Sequence, residues 1–263
     1  MSVNLFAAES SEGGLQFPSI ENLVEWPAYL FEGTFAEFNK ISLIAILAMG
    51  IPTIMFLAAG RDRIPSGLQN LVEGSVEFID NQVILPAIGR EGFKFRPLLL
   101  SIFFFVFIGN LFEVIPTFQM PLNARMAVPG LLGVMVLIIF VAVGFKEQGV
   151  GGYLKSALFP PGLPKPLYAL VTPIELLSTF IIRPFSLAVR LFANMLAGHI
   201  LLVTFGVLCI ALWQLSALVV VLPFSFAMLV ALTGFEIMVA FLQGFVFALL
   251  TAVYIGGAMH PHH

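Results

Sequence analysis

Only 10% of the 263 residues are charged, and several of the polar residues fall inside long apolar stretches, where each carries a steep cost. Arg190 is the sharpest case. Within residues 185–210 the other ionisable side chain before Cys209 is His199, and no Lys or Arg follows Arg190 to the C-terminus. A guanidinium stays charged, and holding it at bilayer depth costs about 2.5–3.5 kcal/mol on insertion scales. Such a charge points to an ion pathway. Asn110, Glu113, Glu175, Asn194, His199, Glu236, Gln243 and Tyr254 share the setting. His and Glu can exchange protons once burial and partners tune them, whereas Arg cannot.

Spacing sorts these groups. Asn110 and Glu113 stand three apart, on one helical face. Glu236, Gln243 and Tyr254 are about two and five turns apart and form a stripe. Arg183, Arg190 and Asn194 form another, while His199 lies about 180° round from Arg190 at about 100° per residue. Arg190 and His199 should therefore face different surroundings; if one looks at a moving partner, the other can line a buried cleft.

The elements that must carry these residues are membrane helices. With 59% hydrophobic residues, 28 Phe and a mean hydropathy of +1.02, the chain is expected to be an all-α polytopic membrane protein. Five membrane-embedded segments fit the apolar runs at 41–59, 97–118, 126–145, 167–206 and 212–259. The last two hold about 40 residues each, roughly 60 Å of helix against about 30 Å of hydrocarbon. They are expected as a long, strongly tilted antiparallel hairpin, with Pro184 and Pro223 as places to bend. Between 65 and 89, apolar Leu68, Leu71, Val72, Val76, Ile79 and Val83 alternate with Glu73, Glu77 and Asp80, the pattern of an interfacial amphipathic helix. Residues 1–40 carry Glu9, Glu12, Glu21, Glu25, Glu32 and Glu37 without a basic leader, and are expected to form an extramembrane segment; 41–263 then make one membrane domain.

Basic residues cluster after the first span (Arg61, Arg63, Arg90, Lys94, Arg96) and after the third (Lys146, Lys155, Lys165), which places the N-terminus outside and the C-terminus in the cytoplasm. Asn110, Glu113, His199 and Glu236 then lie toward the outside, Glu175 and Tyr254 toward the inside, and Arg190 between them. Two wet clefts, neither crossing the membrane, are the economical reading. The single Cys209 excludes an internal disulfide framework and a Cys-cluster metal site. His260, His262 and His263 are read as a polar terminus rather than a metal site. No cofactor is expected, and GxxxxGK[ST], HExxH and GxSxG motifs are absent, so no enzyme constellation appears.

The segment Arg190-Leu191-Phe192-Ala193-Asn194-Met195-Leu196-Ala197-Gly198-His199, with Glu236 and the run from Phe241 to Tyr254 containing Gln243, closely resembles the subunit a family of F-type ATP synthases. Gly109-Asn110-Leu111-Phe112-Glu113 with Pro116 is similar to that family's second span. The resemblance implies a stator that forms two offset proton half-channels against a ring of small hairpin subunits (subunit c). It implies that Arg190 meets the ionised carboxylate of each passing ring subunit and blocks a leak, and that His199 and Glu236 are the paired outer-channel positions. Gln243 matches a glutamine beside the arginine, and Asn194 an asparagine one turn beyond it. It also implies a peripheral-stalk subunit b, the lipid bilayer and protons as partners, no nucleic acid, and a bacterial plasma membrane in preference to the mitochondrial inner membrane. ATP chemistry would belong to other subunits. The family's inner carboxylate stands about fourteen residues before the arginine, whereas Glu175 stands fifteen before, a displacement of about 100° that a bulge near 181–184 would restore. The alternative is a self-contained secondary transporter with Arg190 binding an anion, although five spans divide poorly into repeats. The choice between H⁺ and Na⁺ stays open, since the binding carboxylate would lie on the ring.

Overall fold

The computed structural model describes residues 39–60, 67–115, 118–159, 167–214 and 218–259. Outside the described residues lie the N-terminal acids, Arg61, Arg63, Pro116, Lys165 and the tail His260, His262 and His263.

Helix α1 (Lys40–Ala58) starts at Asn39, whose Oδ1 accepts a hydrogen bond from the Ser42 N–H at 3.0 Å, a side-chain cap on an otherwise orphan donor. Helix α2 (Leu68–Ile79) runs into a π turn at Asp80–Ile84 and a final turn at Leu85–Ala87. A 3-10 segment (Arg90–Phe95) leads into α3 (Arg96–Leu111). Then come α4 (Ala127–Leu158), α5 (Tyr168–Leu177), a second π turn at Ser178–Ile182, α6 (Arg183–Gln214) and α7 (Leu222–Met259). The described residues contain no strand.

Among the described residues, five helical stretches are long and apolar enough to cross a membrane, as the composition leads one to expect: Lys40–Ala58, Arg90–Leu111, Ala127–Leu158, Tyr168–Trp213 and Val219–Met259. The last two hold 46 and 41 residues, about twice what an upright crossing needs. They pack against each other as a hairpin.

α7 is the central element, packed on α3, α4 and α6. Leu99, Phe103 and Val106 of α3, Val136 and Phe140 of α4, Leu191 of α6, and Phe247, Ala252 and Ile255 of α7 share one buried cluster. Without a hydrophobic force between helices in lipid, close packing of small residues does the work. Gly244 illustrates this, since a Cβ there would meet the Phe103 carbonyl at 2.9 Å.

Several helix ends differ from the expected ones, each for a local reason. α3 stops at Leu111, seven residues short of 118, and Phe112–Val114 form a turn; Pro116 lacks an N–H and disfavours α geometry in the residue before it. The chain then returns through Met120, Leu122, Asn123 and Ala124, all buried. α4 runs past 145 to Leu158, but Gly149 at φ 73° breaks its path, a conformation costly for any side chain. The fold-back lays the Tyr153 ring on Gly144 and beside Phe145, with ring centroids 5.5 Å apart. α6 continues past 206 to Gln214, and Pro223 falls in the first turn of α7 rather than at a bend, where a missing N–H costs nothing. The amphipathic helix forms, burying Val72 and Ile79 and exposing Glu73 and Glu77. Asp80 ties it to α3 through Arg96, with N–O distances of 2.6 and 2.7 Å.

Candidate functional site

The faces of α6 separate as the 100° rule requires. Arg190, Ala193, Asn194 and Ala197 are exposed, whereas Leu191, Met195, Gly198 and His199 are buried. Arg190 makes no ion pair or hydrogen bond among the described residues. Gln243 is buried on α7.

Opposite that face the structure assembles a buried polar cluster from four segments. His199 comes from α6 and Glu236 from α7; Asn110 comes from the last turn of α3, and Glu113 from the turn that follows it. That turn is held by the Glu113 N–H donating to the Asn110 carbonyl at 3.0 Å. His199 Nδ1 stands 3.6 Å from Glu113 Oε1, close enough for an ion pair but long for a direct hydrogen bond. The expected meeting of His199 with Glu236 takes a different form. Glu236 makes no ion pair with His199; its carboxylate lies against Gly198, where any side chain would collide with it. His199 thus lies beside Glu113 and next in sequence to the glycine that the Glu236 carboxylate covers.

One member of this cluster is not apparent from sequence spacing. Asn123, in the short turn Leu122–Ala124, is fully buried and donates from Nδ2 to Asn110 Oδ1 at 2.6 Å. The turn packs on α6, so a non-helical segment is buried in protein, the condition under which irregular backbone is tolerated at membrane depth. The available signal was a lone Asn between apolar residues in a loop, and only the return of that loop gives it meaning. Asn110 Nδ2, Asn123 Oδ1, Glu113 Oε1 and Glu236 Oε2 are buried without a hydrogen-bond partner. Such atoms are expensive in a finished core, and four of them are grouped here.

The second group is looser. Tyr254 is half-buried, with the Arg183 guanidinium 5.6 Å above its ring and the Phe140 ring 5.9 Å away. Arg183 therefore contributes a cation–π contact of its own beside Tyr254. Glu175 is half-buried on α5, ahead of the π turn. The described residues hold no group of His, Cys, Asp and Glu arranged for a metal.

With this geometry in place, the comparisons with known proteins are consistent. The family described as ATP synthase A chain matches residues 41–256. A protein of Frankia alni named ATP synthase subunit a is 41% identical over 234 residues, covering 86% of this chain and 79% of the relative. Proteins of the same name from Rhodococcus erythropolis and Streptomyces lividans are each 38% identical, covering 99% and 95% of this chain and 94% and 90% of their own lengths. The chain belongs to the ATP synthase A chain family. As a member it is a multi-pass membrane subunit that serves proton transport in a rotary ATP synthase and has no ATP catalytic site of its own. The match begins at residue 41 and ends within α7, so it contains the buried cluster, both π turns and the exposed face of α6. The transporter alternative falls with this membership.

Proposed function

We propose that this ATP synthase A chain forms two offset proton half-channels against a ring of hairpin subunits, with Arg190 as the fixed charge between them. The division of α6 supports this reading most strongly: the guanidinium and its small neighbours Ala193 and Ala197 occupy an uncovered face, while the protonatable cluster is enclosed on the other side. A charge in apolar surroundings with no counter-ion among the described residues calls for one from a neighbour, and small residues let a neighbouring helix approach closely.

A ring carboxylate entering lipid must be neutral, because burying it charged is prohibitive. Beside Arg190 the ionised form is favoured by the opposite charge. The carboxylate therefore loses its proton to one cleft and regains one from the other, and the transmembrane potential, about 2.3 kcal/mol per charge per 100 mV, biases the direction. In this reading His199, Glu236, Glu113 and Asn110 serve the outer cleft, Glu175 and Tyr254 the inner one, and Gln243 and Asn194 flank Arg190. The basic loops support an N-terminus outside and a C-terminus in the cytoplasm; in this reading the membrane is a bacterial plasma membrane and subunit b of the peripheral stalk holds the chain against rotation.

Arg190→Ala in the assembled synthase, in inverted membrane vesicles, tests it. ATP-driven proton pumping is lost, while passive proton leak through the membrane sector rises because nothing separates the clefts. A variant that pumps at the parent rate would overturn the reading.

A further inference from the structure

Both π turns among the described residues end two residues before a proline: Asp80–Ile84 before Pro86, and Ser178–Ile182 before Pro184. A proline in a helix interior removes one N–H and drives its ring at the carbonyl four residues back. Widening the preceding turn relieves the clash. At the second site the Arg183 N–H donates to the Ser178 carbonyl five residues back, the π pattern. One residue is thereby taken up without advancing the helix.

That residue changes what Glu175 faces. In an unbroken α-helix, Glu175 would stand about 80° from Arg183 and about 60° from Arg190 around the axis. With one residue absorbed, the angles become about 20° and about 40°, and the acid joins their stripe. The helix cannot achieve this by turning as a whole, since both of its halves are pinned to α4. Ahead of the bulge, the Thr172 hydroxyl donates to the Leu158 carbonyl at 3.2 Å and the Tyr168 ring packs on Phe159 at 5.6 Å. After it, the Pro184 carbonyl sits so close to Gly133 that a Cβ there would meet it at 2.7 Å. Within the bulge Thr179 is buried and Phe180 packs on the core, while Ile181 and Ile182 point outward at 58% and 50% exposure.

We infer that the π turn Ser178–Ile182, set by Pro184, is a register element that aligns Glu175, already assigned to the inner cleft, with Arg183 and Arg190. The inference rests on the two-cleft reading, and the experiments separate the two. In the assembled synthase, Glu175→Gln reports whether Glu175 handles protons at all, with ATP-driven pumping falling about tenfold or more if it does. If Glu175→Gln pumps normally, there is nothing for the bulge to align and the inference fails, while the Arg190 test still stands by itself. The double change Glu175→Leu/Leu176→Glu moves the acid one position onward, about 100° off the stripe. It stays as defective as Glu175→Gln; pumping at the parent rate would mean that the bulge sets no register. Deletion of Ile181 combined with Pro184→Ala removes an outward side chain together with the clash that opens the turn, so the π turn closes to an ordinary α turn with Glu175 in place and pumping persists, whereas deletion of Phe185 beyond the bulge abolishes it. An assembled Ile181 deletion with Pro184→Ala that loses pumping as completely as the Phe185 deletion overturns the inference, and where either deletion fails to assemble, the double change decides.

Discussion

Gly198 offers the most direct test of the buried cluster. It is buried on α6, and a Cβ built on it collides with the carboxylate of Glu236. Carbon contacts are comfortable at about 3.5–4.0 Å, so in Gly198→Ala the carboxylate must retreat by about 1 Å or more. Glu236 is only 4% exposed, leaving little room for an inexpensive rotation. Overpacking of this kind costs about 1–3 kcal/mol in stability, which a large membrane assembly can tolerate. The functional cost is larger, because a 1 Å misplacement of a reacting group can lower a rate about 10²-fold. We therefore expect Gly198→Ala to assemble with the ring, measured by co-purification, and to lose about ten- to a hundredfold in ATP-driven proton pumping. Glu236→Asp shortens the acid by one C–C bond, about 1.5 Å, and withdraws it from the new methyl group. Alone it should impair pumping, yet in the Gly198→Ala background it should recover part of the loss, a non-additivity expected of groups in contact. Parent-level pumping in Gly198→Ala, or a double variant no better than the single one, would refute the packing argument.

Two further outcomes are expected. Asn123→Leu leaves Asn110 Oδ1 without its 2.6 Å donor, so the variant should lose about 1–3 kcal/mol of stability and slow proton entry, visible as a lower melting temperature together with reduced pumping. Gly149→Ala forces an alanine into φ 73°, at about 1–2 kcal/mol, and should lower the yield or melting temperature of the assembled complex without altering the pumping rate per assembled complex.

Much of this protein could be read from residue types and spacing. Five apolar runs with few charges specify membrane helices, because a bilayer admits only segments that satisfy their own backbone. The 100° step per residue separates Arg190 from His199, and the structure puts them on exposed and buried faces of α6. The length of the last two runs dictates a hairpin too long to stand upright. These are local properties, carried by periodicity and hydropathy. Tertiary structure decided what depends on contacts between distant segments. The partner of His199 is Glu113 rather than Glu236, because the end of α3 and the returning loop fix which acid reaches the imidazole. Asn123 joins Asn110 only because that loop folds back against α6. The register of Glu175 depends on where the helix absorbs its extra residue, a choice set by Pro184 and by the anchoring of both helix halves on α4. A sequence records how far apart two residues are along the chain, whereas a π turn or a loop reversal changes how that distance converts into direction.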